Sequence, residues 1–132
     1  MVRDKLRSDA AHVGPNEVLR FFLEIAALFA MAIWGWATFD GIARIVVAIG
    51  LPVVVALIWA TFRVPNDPGP APIVVPGVVR LAFEAVFFGG AVVLLYLAGQ
   101  QLPAIIFGAT VVVHYIVGRR RVIRLLRGEP PR

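Results

Sequence analysis

Two carboxylates stand inside the apolar runs of this chain, and each follows an arginine by four positions: Arg20-Phe-Phe-Leu-Glu24 and, sixty residues on, Arg80-Leu-Ala-Phe-Glu84. An ionisable group at the centre of a membrane helix costs roughly 2.5 kcal/mol or more, so a pair kept at matching positions needs an architectural or functional reason. Two chemistries use such groups. Reversible protonation or cation binding would make them the working acids of a small transporter or channel. Charge neutralisation would make them clamps, because a spacing of four puts guanidinium and carboxylate on one helix face, where they close on each other or exchange partners between helices. Clamping is the favoured reading, since each acid has an arginine within reach and arginine can extend its head to the interface.

Two more residues join this layer. Counting back from Arg119, His114 lies about 7 Å into the fourth apolar run, close to the depth of Glu24 counted from Arg20. Trp59, near the end of the second run, falls at the same level. Four elements thus deliver Arg20, Glu24, Trp59, Arg80, Glu84 and His114 to one slab. Glu24, Glu84 and His114 have the donor types of a transition-metal site. The Glu-x-x-His spacing of di-metal bundles is absent, however, and the arginines repel a cation, so no metal and no other cofactor is expected. With no cysteine, no phosphate-binding glycine loop and a single serine, Ser8, in the polar tail, no catalytic residue is assigned and the chain is expected not to be an enzyme.

The elements that hold these residues follow from composition. The 132 residues are 60% hydrophobic and only 16% charged, with a mean hydropathy of +0.86. Charge in soluble domains runs near about 25%, so this is an integral membrane protein. Apolar runs occupy 18–39, 42–62, 78–99 and 102–118. Three have ample length to cross a hydrocarbon core of about 30 Å and the fourth lies near the short limit. Before them stands a polar tail, 1–17; between the second and third lies a proline-rich connector, 63–77; after the fourth comes a basic tail, 119–132. The first run is too long for the core of a signal peptide and no small-residue cleavage site follows it, so the amino terminus is expected to be retained.

Asp40-Gly41 and Gly99-Gln-Gln-Leu-Pro103 read as tight turns, which makes hairpins of runs one and two and of runs three and four. Pro52 should bend the second helix. Small residues at spacing four, Ala26/Ala30, Ala56/Ala60, Ala85/Gly89 and Ala104/Gly108, allow close helix approach. Twelve of the thirteen basic residues fall on one side of this topology, with Arg44 alone on the other. The positive-inside rule then makes both termini and the connector cytoplasmic. The expected fold is all-α, a four-transmembrane-helix bundle of two parallel helical hairpins. In the tail, Arg119, Arg120, Arg121, Arg124 and Arg127 alternate with apolar residues, a pattern suited to lying against anionic lipid headgroups or to acting as a plain stop-transfer signal. The charge needs no nucleic-acid partner to explain it.

Leu19 to Leu28 with Trp34-Gly-Trp36, Leu51-Pro52 with Trp59-Ala-Thr-Phe62 and Pro65, and Leu81-Ala-Phe-Glu-Ala-Val-Phe-Phe-Gly89 together resemble the YrdB-like family of small bacterial membrane proteins. The resemblance covers roughly residues 18 to 100 and implies a four-helix membrane protein with no assigned activity; its expected location is the bacterial inner membrane. The leading expectation is a non-enzymatic scaffold or accessory subunit of a larger membrane complex, with a protein partner or further copies of itself. The alternative is a small proton-coupled transporter or ion channel that uses Glu24 and Glu84.

Overall fold

The computed structural model describes residues 14–63 and 73–128. Most of the polar amino tail, the interior of the proline-rich connector and the last four residues lie outside that range. Helix α1 (Pro15–Thr38) starts on a proline, whose missing N–H is no loss in a first turn. It begins three residues before the expected start and so takes Asn16 and Glu17 into the helix. Helix α2 (Gly41–Thr61) follows after Phe39 and Asp40. Gly41 has φ +60°, a left-handed conformation that glycine reaches without a Cβ penalty, and this turns the chain back. Pro52 lies inside α2 without dividing it into two helices.

Phe62–Arg63 (β1) and Ile73–Val74 (β2) pair in parallel, with Phe62 opposite Ile73. This two-residue ladder is the one departure from helix among the described elements. It holds together the two ends of the connector, where α2 finishes and α3 (Gly77–Leu97) starts. A second reversal at Gly99, φ +82°, leads into α4 (Gln101–Val117). After Gly118 the chain turns by 69° into a short helix α5 (Arg119–Arg127).

Helices α1 and α3 form the central pair; α2 packs along α1, α4 along α3 and α1, and α5 crosses the start of α3. Ala27, Ala30, Ala91 and Ala104 line the buried seam around Phe88. Their small size lets the backbones approach, the usual source of cohesion where lipid offers no hydrophobic drive between helices. The first hairpin is one such close approach. A Cβ on Gly35 would stand 2.9 Å from the backbone nitrogen of Ala48 and from Val47 Cγ1. Of the small-residue pairs, Ala30 and Ala104 are buried, whereas Ala85, Gly89 and Ala60 face outward.

The outer surface is apolar along its flanks, with Phe21, Phe22, Phe29, Ile49, Leu57, Val86 and Ile105 exposed. Helices α1, α2 and α3 are each long and apolar enough to cross a membrane, and α4 counts as a fourth when taken with α5. The architecture is that of an all-helical, multi-pass membrane protein.

Candidate functional site

The buried stripe of α3 runs Arg80, Glu84, Phe87, Phe88, Ala91, Leu95, the period of one helix face. Arg80 and Glu84 therefore point into the bundle with the core residues. On α1 the stripe is Arg20, Leu23, Ala27, Ala30, Met31, so Arg20 is buried and Glu24 stands at its edge. The start of α1, the end of α2, the start of α3 and the end of α4 meet in one layer.

Glu84 is the centre of that layer. Tyr115 donates its hydroxyl to Oε2 at 2.6 Å. Arg121 reaches back from α5 with both guanidinium nitrogens, Nη1 to Oε2 at 3.2 Å and Nη2 to Oε1 at 2.9 Å. This two-pronged geometry is the strong form of the arginine–carboxylate pair. Arg80 Nε stands 3.4 Å from Oε1 and Arg20 Nη1 stands 4.0 Å from it. Arg20 also meets Glu24 at 3.7 Å, so it lies between the two acids.

Arg80 has a further role. Its Nη1 donates to the carbonyl of Trp59 at 3.3 Å and to that of Phe62, and its guanidinium lies 3.9 Å from the Trp59 ring centre. The last carbonyls of a helix have no N–H of their own, and the end they form is negative. Arg80 therefore caps α2 from α3 while facing Glu84. Trp59 in turn stacks on Phe87 at 4.2 Å.

His114 is buried in the layer but is engaged elsewhere. Its Nδ1 lies 2.9 Å from Asn16 Oδ1, and Asn16 Nδ2 donates to the His114 carbonyl at 3.3 Å. With the amide so oriented, His114 is the donor at Nδ1. The two bonds pin the start of α1 to the end of α4. Among the described residues no three of His, Cys, Asp or Glu could hold a metal ion. The layer instead gathers three guanidinium groups around two carboxylates, an excess of positive charge that repels a cation.

Three residues of the layer were not assigned to it by sequence reasoning. Asn16 precedes the apolar run and looks like tail. Tyr115 reads as an interfacial aromatic, although its place beside His114 was a usable signal. Arg121 departs from the lipid-facing set: the bend at Gly118 swings it inward to Glu84, whereas Arg119, Arg120 and Arg127 are exposed and Arg124 is half-buried. Leu125, on the same short helix, is buried against Gly77.

Residues 18–112 match the family described as "Protein of unknown function (DUF2568)". The chain is also similar to "Uncharacterized protein YrdB" of Bacillus subtilis (strain 168), 42% identical over 86 residues that cover 63% of this chain and 70% of the relative. No solved structure matches. The family range includes Arg20, Glu24, Trp59, Arg80 and Glu84, and it ends just before His114, Tyr115 and Arg121. The chain therefore belongs to the DUF2568 family, with YrdB as a relative, in agreement with the resemblance carried by its Arg-x-x-x-Glu and aromatic motifs.

Proposed function

We propose that this protein is a non-enzymatic, four-span subunit of a bacterial inner-membrane complex, with both termini and the Glu84 layer on the cytoplasmic side. The observation that carries this reading is the saturation of Glu84. Both of its oxygens accept bonds from Arg121, Tyr115 adds a third, and two more arginines stand alongside. A carboxylate that works in transport must gain and lose a proton or an ion. Here that would mean breaking an arginine fork within a buried network, at a cost of several kcal/mol. A clamp that fixes the ends of four helices has no such requirement. Cytoplasmic placement rests on the distribution of basic residues, twelve of thirteen lying at this end of the helices or in the segments that adjoin it.

The reading is tested by extracting the protein from its native membrane in mild detergent through a carboxyl-terminal tag and weighing the intact assembly by native mass spectrometry. A complex of fixed stoichiometry with another membrane protein is the expected result. A lone monomer, combined with a proton flux in vesicles that Glu84→Gln abolishes, would overturn it in favour of a small proton-coupled transporter.

A further inference from the structure

Helix α5 is the sequence RRRVIRLLR, and hydrocarbon does not hold a helix so rich in arginine. It leaves α4 at 69°, so it runs closer to the plane of the membrane than to the direction of the spans. Its height is set by α3, because the backbone at Leu125 packs closely on Gly77, the first residue of that helix. Helix α5 therefore lies at the boundary where the spans enter the bilayer, beside the Glu84 layer.

Part of its circumference is used within the molecule. Leu125 is buried and Arg121 forks onto Glu84. The side turned away from the bundle carries, in angular order at about 100° per residue, Leu126, Arg119, Ile123, Arg127 and Arg120. All five are exposed, Leu126 at 58% and Ile123 at 45%. The surface thus passes from apolar at one edge to basic at the other. An in-plane helix with that division sets its apolar edge into the acyl boundary and its basic edge among the headgroups. Charge selects the kind of headgroup. From Arg119 to the end of the chain there are six arginines and one acid, Glu129. A guanidinium matches a phosphate through two parallel hydrogen bonds, and a net positive surface prefers a lipid whose phosphate charge is not cancelled. An acidic protein would satisfy the arginines but would leave Leu126 and Ile123 without an apolar neighbour.

We propose that the outer face of α5 is a docking surface for anionic diacyl glycerophospholipid, with Leu126 and Ile123 in the acyl boundary and Arg119 and Arg120 on headgroup phosphates. The segment is then more than a stop-transfer signal. The proposal does not rest on the subunit reading above, nor on which end of the bundle is cytoplasmic, since in a vesicle of one composition both faces carry the same lipid.

The test begins with wild-type protein, washed in mild detergent and offered an equal mixture of phosphatidylglycerol and phosphatidylcholine with the same chains. Native mass spectrometry reads what stays bound. The expected result is preferential retention of phosphatidylglycerol, and Arg119→Gln with Arg120→Gln should lower that preference about fivefold for each arginine removed. Both positions lie off the Glu84 network and glutamine keeps helix propensity, so the bundle should be preserved. A second measurement reads the position of α5 without those variants. The chain has no cysteine, so Leu126→Cys and Arg120→Cys can each carry a single spin label in phosphatidylglycerol vesicles. The label at 126 should collide mainly with oxygen dissolved in the bilayer, and the label at 120 mainly with a water-soluble nickel chelate. Equal retention of the two lipids by the wild type, an unchanged preference in the double variant, a water-exposed label at 126, or displacement of the lipid by RNA or an acidic protein would each overturn the proposal.

Discussion

Glu84 and Glu24 share a local motif but stand in different surroundings, and that difference sets what each contributes. The Glu84 side chain is 1% exposed and faces Arg20, Arg80, Arg121 and Tyr115. Glu24 is 16% exposed, at the edge of the layer beside Arg20. Removing one partner of a buried ion network leaves the other charges uncompensated, which costs about 3–5 kcal/mol. Glu84→Gln should therefore lower unfolding stability in detergent by about that amount, and Glu24→Gln by less than half as much. Chemical denaturation of the two variants in the same micelle measures both; equal losses would mean that the two acids are interchangeable and that Glu84 is not the hub. The Arg20/Glu24 and Arg80/Glu84 pairs were legible in the sequence because helical spacing alone puts their members together. The partners that make Glu84 different were not. Tyr115 and Arg121 approach it across 31 and 37 residues of chain, a relation that depends on how α4 and α5 pack and that no local spacing encodes.

At the scale of the element, α5 decides how closed the layer is. Its alternation of basic and apolar residues was readable, and so was its amphipathic character. The surface it would choose was not, because the inner face of a bilayer and the start of α3 both offer apolar contact to Leu125. What selects α3 is Gly77. A Cβ at that position would stand 2.7 Å from Leu125 Cα and would also press on the Leu125 carbonyl oxygen, neither of which is a flexible group. Gly77→Ala should therefore lift α5 and withdraw Arg121 from Glu84, with a loss of about 1–3 kcal/mol of stability. Since both changes would break the same contact, Arg121→Ala added to Gly77→Ala should cost much less than it does alone. A double-mutant cycle checks this, and simple additivity would show that α5 holds its place by other means. The four long helices, in contrast, start and end within three residues of the positions expected from hydropathy and turn residues. Apolar length and glycine at Gly41 and Gly99 are local properties, and these boundaries depend on little else.

For the molecule as a whole, the layer and the distribution of charge point to the same side. Arg20, Arg80 and Arg121 gather where α1 and α3 begin and α2 and α4 end, and the remaining basic residues of that side lie in the tails and connector. At the opposite end Arg44 is bound locally, to Asp40 at 3.2 Å and to the Phe39 carbonyl at 2.9 Å, and it lies 4.8 Å from the Trp36 ring centre. Arg44 is a single basic residue against twelve, too few to compete as a topology signal. The absence of cysteine from the sequence makes the orientation directly measurable. A single cysteine placed by Ser8→Cys or Arg132→Cys should react with a membrane-impermeant maleimide in intact spheroplasts only after the membrane is opened. One placed by Asp40→Cys, at a side chain 98% exposed in the first hairpin turn, should react before it. Labelling of Ser8→Cys and Asp40→Cys from the same side would break the first hairpin as a pair of spans. Full reversal, with the tails outside, would place the Glu84 layer on the periplasmic face and remove the basis for a cytoplasmic clamp. The expected pattern would put the Glu84 layer at the inner face of the membrane, where a cytoplasmic clamp has to stand.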